Sequence, residues 1–127
     1  MAMATGVGGV FFKARDPKAL AAWYSQHLGI AKSDDGSLIF DGPGSMGMTV
    51  FAPFPADTLY FGDGPQQSMV NFRVDDLDAL LKQLAQAGVR IDPKREDYVY
   101  GRFAWIWDPE GNRIELWQAL PFPEKQG

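Results

Sequence analysis

The chain repeats itself, and this restricts what it can fold into more than any other feature. Laying Val10 to Gln26 over Val70 to Gln86, a constant offset of 60, gives identity at six of seventeen positions: Val10/Val70, Phe12/Phe72, Asp16/Asp76, Ala19/Ala79, Leu20/Leu80 and Gln26/Gln86. Ordinary residue usage would give about one match. A second register, at offset 67, joins Ile39-Phe40-Asp41 to Ile106-Trp107-Asp108 and Gly44 to Gly111. Two copies of one unit are therefore expected, and at roughly 60 residues each is marginal alone, so their association is obligatory. Such a pair builds a shared concave surface, which is the first place to look for function. The expectation is a single domain over 1–127, with repeats at 7–53 and 69–118 and a linker at 54–68.

Local patterning gives both copies the same order of elements. In the first, Val7 to Arg15 has the β-branched and aromatic content of a strand. Asp16-Pro17 stops it and starts a helix, since Asp caps and Pro fits the first turn. Leu20, Trp23, Tyr24, His27 and Leu28 recur at helical spacing and predict an amphipathic helix that Gly29 ends. Leu38 to Phe40 and Met48 to Phe51 are short apolar runs broken by Asp34-Asp35-Gly36 and Asp41-Gly42-Pro43-Gly44, which predicts a three-stranded meander through Pro53. A loop from Pro53 to Gln67 follows, in which Leu59-Tyr60-Phe61 is expected to pack. The second copy reads as a strand at Met69 to Val74 and a helix capped by Asp75-Asp76, with Leu77, Leu80, Leu81 and Leu84 on one face and Gly88 at its end. A strand starting at Val89 to Asp92 follows, then a hairpin of Arg102 to Trp107 and Arg113 to Gln118 about Asp108-Pro109-Glu110-Gly111-Asn112. Each unit is thus β-α-β-β-β, and the tail from Pro121 to Gly127 is expected to fray.

Composition excludes several classes of function. A net charge of −4 and a pI near 4.8 oppose a nucleic-acid binder and an acidic membrane surface alike. With no cysteine there is no disulfide framework, no thiolate nucleophile and no thiolate metal site. The first ten residues carry no basic, apolar leader pattern, and no run approaches the roughly eighteen apolar residues of a membrane span, so the expected location is the cytoplasm. No Ser-His-acid set is expected with His27 on an outer helix, and Gly42-Pro43-Gly44 lacks the helix and lysine of a phosphate loop.

Two tandem β-α-β-β-β units resemble the vicinal oxygen chelate superfamily, which includes glyoxalase I, bleomycin-resistance proteins and extradiol dioxygenases. The resemblance runs from about Val7 to Gln118 and rests on three stretches: Val10-Phe11-Phe12-Lys13-Ala14-Arg15-Asp16-Pro17 leading to Trp23-Tyr24 and Leu28-Gly29, Phe72-Arg73-Val74-Asp75-Asp76-Leu77 leading to Ala87-Gly88-Val89, and Asp108-Pro109-Glu110-Gly111-Asn112-Arg113-Ile114-Glu115-Leu116. It implies an α+β fold in which the strands of the two units lie edge to edge as a curled mixed sheet around a cleft, helices outside. It also implies that the positions of the family's metal ligands fall on Gly9, Thr49, Met69 and Glu115. Of these, Glu115 alone is a good ligand for a hard divalent cation; glycine has no side chain, a thioether is too soft and a hydroxyl is weak. His27, the one histidine, is expected to pack its ring or complement the end of its helix.

Strand alternation then names the cleft lining, because residues two apart share a face. With Glu115 inward, Trp117 joins it and Ile114 and Leu116 face the helix. Small Ala104 and apolar Ile106 suit the helix side, so Phe103, Trp105 and Trp107 face the cleft. Gly9, Phe11 and Lys13, Met69, Asn71 and Arg73, and Thr49 and Phe51 follow by the same rule. The set is aromatic with one carboxylate, one amide and cations at the rim, which suits a small molecule that is aromatic or cationic. The same aromatic residues would equally make half of a homodimer core. Lys13, Arg73 and Arg102 read as solvated strand-end charges, and Tyr98 and Tyr100 either close over the cleft or are ordinary strand aromatics.

Two functions remain. One is a metal-independent small-molecule binding protein of the glyoxalase and bleomycin-resistance type, homodimeric and without cofactor, with Glu115 touching the ligand or serving structure. The other is a glyoxalase-like metalloenzyme, a lyase, isomerase or dioxygenase, in which Glu115 is a metal ligand or general base.

Overall fold

The computed structural model describes residues 1–40 and 47–121. The breakers at Asp41-Gly42-Pro43-Gly44, two pairs of the second repeat register and the tail beyond Pro121 lie outside the described residues. The fold is α+β, two helices with an eight-stranded mixed sheet, as the repeat predicts. No helix among the described residues is long and apolar enough to cross a membrane. The chain divides into two compact units, Val7–Asn71 and a second made of Met1–Gly6 with the chain from Phe72 onward.

The first unit holds most of β1 (Ala4–Ala14), then α1 (Pro17–Leu28), β2 (Ala31–Lys32), β3 (Leu38–Phe40) and β4 (Thr49–Pro55), in the sheet order β2-β3-β4-β1. The strands β2, β3 and β4 are antiparallel neighbours, while β4 runs parallel to β1 with Gly9 opposite Val50 and Lys13 opposite Phe54. Asp16 caps α1 by accepting from the Ala19 N–H at 3.1 Å, Pro17 occupies its first turn, and Gly29 ends it at φ 69° with its N–H on the Ser25 carbonyl. Phe12 and Phe51 pack at 4.8 Å and Tyr24 reaches Phe51 at 5.0 Å, which seats the helix. The predicted apolar stripe of α1 is only partly the buried one: Ala21 is buried, Leu20 and Tyr24 half-buried, and Trp23 and Leu28 exposed at 51% and 62%. Beyond Pro55 the loop folds back, burying Phe61 and laying Tyr60 on Phe54 at 5.5 Å, though Leu59 stays exposed.

In the second unit the sequence pattern and the packing coincide. It contains the end of β5 (Ser68–Val74), α2 (Leu77–Gln86), β6 (Ile91–Tyr98), β7 (Gly101–Trp107) and β8 (Arg113–Ala119), ordered β5-β8-β7-β6. The Asp76 carboxylate accepts from Ala79 N at 3.1 Å, and the Gln118 side chain accepts the Leu77 N–H at 2.8 Å, satisfying a second orphan donor of the first turn. Val74, Leu77, Ala104 and Leu116 form the core, with Phe72, Leu80, Leu81, Leu84, Ile106 and Ile114 packed on it. Fully buried Leu77 alone contributes about 2 kcal/mol by area. The first residues of the chain are tied to this unit: Met3 exchanges hydrogen bonds with Asp75, and the Gln83 amide both accepts from Ala2 N at 2.8 Å and donates to Ala2 O at 3.1 Å.

Candidate functional site

The face of β7 and β8 turned away from α2 gathers the residues of the second unit that the sequence named as a cleft lining. The hairpin turn sets its register: Asp108 accepts from the Glu110 and Asn112 backbone N–H groups and from the Asn112 side chain, and Gly111 supplies φ 85°. This pairs Trp105 with Glu115, Phe103 with Trp117 and Trp107 with Arg113 on one face, as alternation predicts, and sends Ala104, Ile106, Ile114 and Leu116 to the helix. Glu115 is 2% exposed, and the Trp105 indole N–H donates to its Oε2 at 3.0 Å. A buried carboxylate needs such donors, and an ionised one makes the stronger bond. The rings of Phe103 and Trp117 lie parallel at 6.1 Å. Tyr98 and Tyr100 stack on each other at 5.2 Å and both meet Phe103 edge-on. Trp117 lies over Gly101, where an added Cβ would come within 2.7 Å of its Nε1, and that nitrogen is buried without a hydrogen-bond partner among the described residues.

Three cations cover the two remaining indoles, and strand patterning gave no sign of Arg90 and Lys94 among them. The Arg90 guanidinium sits 3.9 Å from the Trp107 ring, Arg113 lies 5.1 Å from Trp105 and 5.9 Å from Trp107, and the Lys94 ammonium is 4.8 Å from Trp105. Arg113 is buried and donates to Asp92 at 2.8 Å. Burial raises the Asp92 carboxyl, but the Arg113 guanidinium and the Lys94 backbone N–H outweigh it and hold the group below its ordinary value. A bond to Glu96 at 2.8 Å pushes the Tyr98 hydroxyl up. With cations of the chain itself on Trp105 and Trp107, these two faces no longer favour the cationic ligand that their composition suggested. Arg102, read from the sequence as a solvated strand-end charge, meets Asp78 of α2 at 3.3 Å, on the opposite face.

In the first unit the structure corrects one expectation. Phe51 contacts Phe12 and Tyr24, so it faces α1, and Thr49, two residues before it, shares that side and donates from Oγ1 to the Val7 carbonyl at 2.9 Å. The residues that share the Phe11 face are Val50, Ala52 and Phe54, opposite Gly9, Phe11 and Lys13. Phe11 packs on Phe54 at 5.3 Å, and the Lys13 ammonium lies 6.0 Å from the Phe61 ring. Met69 and Asn71 are buried at 1% and 2% exposure. Arg73, in the second unit, lies over Gly6. His27 is exposed, its ring 5.0 Å from Trp23.

A divalent metal does not fit the residues at the implied ligand positions. A Cβ at Gly9 would lie 2.9 and 3.0 Å from ring carbons of Phe11 and 3.1 Å from the Val50 carbonyl, so that ring occupies the room a ligand side chain would need. Met69 offers a buried thioether, the β4 position on the Phe11 face is Val50, and Thr49 points the other way. Glu115 is left as a single good donor, and among the described residues no three His, Cys, Asp or Glu side chains gather.

The wider comparisons agree with this architecture. No curated protein sequence matches the chain. Methylmalonyl-CoA epimerase from Mycobacterium tuberculosis is similar in structure, with a TM-score of 0.65, 24% identity, and coverage of 93% of this chain and 90% of that one. A variant of the Streptomyces coelicolor methylmalonyl-CoA epimerase in complex with 2-nitronate-propionyl-CoA gives 0.69 at 14% identity, covering 94% and 100%. A glyoxalase/bleomycin resistance protein/dioxygenase superfamily member from Vibrio splendidus 12B01 gives 0.55 at 14%, covering 88% and 97%. At these identities the likeness is one of fold. The family model of the Glyoxalase/Bleomycin resistance protein/Dioxygenase superfamily matches residues 8–116, and with the duplicated β-α-β-β-β order and the Asp108-to-Glu115 hairpin this places the chain in that superfamily.

Proposed function

We propose that this protein binds a small planar organic molecule, without a metal, on the aromatic face of its second unit formed by Tyr98, Tyr100, Phe103 and Trp117 beside Glu115. The observation that carries the reading is the pair of parallel ring stacks, Tyr98 on Tyr100 and Phe103 on Trp117, next to a carboxylate buried to 2% exposure. Stacking on such surfaces is sequence-encoded binding area for flat ligands, and the half-exposed tyrosines keep part of it in reach of solvent. Arg90, Lys94 and Arg113 tilt the choice toward neutral or anionic compounds. Of the other candidates, Phe11, Lys13, Met69 and Asn71 stand as a second lining set from the first unit, and Arg73 as a rim cation. A homodimer is part of the proposal, and sedimentation equilibrium tests it.

The test is saturable quenching of Trp fluorescence by a set of aromatic acids, amides and amines, with Trp117→Leu and Glu115→Gln beside the parent. Loss of a ring stack is expected to weaken binding by about tenfold, from the roughly 1 kcal/mol typical of aromatic pairs plus lost area. Absence of saturable quenching, or quenching unchanged in Trp117→Leu, would overturn it. A second reading is favoured by the enzymes among the structural neighbours: Glu115 as general base or metal ligand toward an acyl-CoA thioester. Elemental mass spectrometry after exposure to Mn, Fe, Co, Ni and Zn tests its metal-ligand form, because stoichiometric metal lost in Glu115→Ala would establish the metalloenzyme.

A further inference from the structure

We infer that the first unit carries a separate site for an aromatic organic anion, in the groove between the end of β1 and the exposed side of α1. An open groove of about 910 Å³ is lined there by Lys13, Ala14, Arg15, Asp16, Ala19, Leu20, Trp23 and Tyr24. Three observations fix the occupant. Trp23 is exposed at 51%, its ring held edge-on by Tyr24 at 5.2 Å and flanked by His27, so one indole surface stands ready for stacking at little entropic cost. Exposed Arg15 makes no ion pair among the described residues. The one acid on the groove, Asp16, spends its carboxylate on the helix cap. In a chain with net charge −4, a groove whose uncompensated charge is the Arg15 guanidinium runs against the chain's average field, and a flat apolar body with an attached carboxylate, sulfonate or phosphate matches it.

This site does not depend on the second unit's aromatic face, and the experiment keeps the two apart. The full-length protein, labelled with ¹⁵N, is titrated with 2-naphthoate and separately with neutral 2-naphthamide, while the indole N–H resonances of Trp23 and Trp117, assigned through Trp23→Phe and Trp117→Phe, are followed. The expected result is a saturable shift of the Trp23 resonance by naphthoate, with naphthamide and the Arg15→Gln variant each weaker by about threefold to fivefold, the span of an exposed charge contact. A Trp23 resonance that does not move would overturn the proposal. So would equal affinity for the amide, which would leave a merely apolar face, or an unchanged affinity in Arg15→Gln. A shift of Trp117 alone would support the function proposed above and refute this one.

Discussion

Replacing Trp105 by Phe tests whether the indole holds the Glu115 charge. Trp105 is fully buried and Glu115 nearly so, they face each other across β7 and β8, and the indole N–H is 3.0 Å from Oε2. Phe keeps one aromatic ring but removes the donor. A hydrogen bond to a charged group is worth about 1.5–3 kcal/mol, and the missing part of the indole leaves a cavity costing about 1 kcal/mol more. Weaker attraction of Arg113 and Lys94 to a phenyl ring adds about 0.5 kcal/mol. The expected loss is thus about 3–4.5 kcal/mol. In a Glu115→Gln background the acceptor is neutral and its bond is worth about 1 kcal/mol, so Trp105→Phe costs about 2–3 kcal/mol there. The assay is urea unfolding followed by far-ultraviolet circular dichroism, since Trp emission changes with the substitution itself, and the denaturant slope should stay constant. A coupling of about 1 kcal/mol between the two positions is the predicted signature. Equal costs in both backgrounds would refute the reasoning, because the indole would then contribute packing alone.

Gly101→Ala puts a methyl group 2.7 Å from Trp117 Nε1 and 3.1 Å from its Cδ1, so thermal unfolding should show a loss of about 1–3 kcal/mol, with weaker binding of any planar ligand that uses Trp117. Asp92 has a folded pKa below its unfolded value, so its stabilisation is full above about pH 4 and is lost as pH falls through the folded value; melting temperatures from pH 6 to 2.5 should therefore fall more steeply for the parent than for Asp92→Asn. Gln83→Ala removes both clamps on Ala2, and hydrogen exchange should show the amides of Ala2 and Met3 losing protection while α2 keeps its own.

The fold was legible where local chemistry is self-sufficient. Asp16 and Asp76 announce helix starts, Gly29 and Gly88 their ends, and the Asp108-to-Asn112 turn fixes a hairpin register from which the faces of Phe103 through Trp117 follow. In β4 the same rule failed at Thr49 and Phe51. That strand is apolar on both sides, Val50, Ala52 and Phe54 against Phe51 and Pro53, so it offers no alternation to read, and its parallel pairing with β1 is not set by a tight turn. The helix α1 misled in another way: Trp23, His27 and Leu28 keep helical spacing, yet the buried side runs through Leu20, Ala21 and Tyr24. The Lys94 ammonium over Trp105 was not legible because β6 shifts register between Ile91 and Arg95, which breaks the parity that would have placed Asp92 and Lys94.

Duplication explains why the candidate chemistry is uneven. Each copy of the unit brought two strand positions at which the superfamily resemblance implies a ligand, and in this chain they serve packing and hydrogen bonding: Phe11 fills the space at Gly9, Thr49 donates to the Val7 carbonyl, Met69 is buried, and Glu115 is tied to Trp105. A packed ring and a thioether contribute burial in proportion to area and impose no coordination geometry. Under the proposed function, selectivity in such a face would come from ring orientation and from which cations stand at its edge, so Tyr98, Tyr100, Phe103 and Trp117 together with Arg90 and Lys94 would decide the ligand more than Glu115 does. Glu115, held in place by an indole, is then read best as the polar anchor of an aromatic surface, and a change at that carboxylate should alter how firmly the surface is held before it alters what the surface prefers.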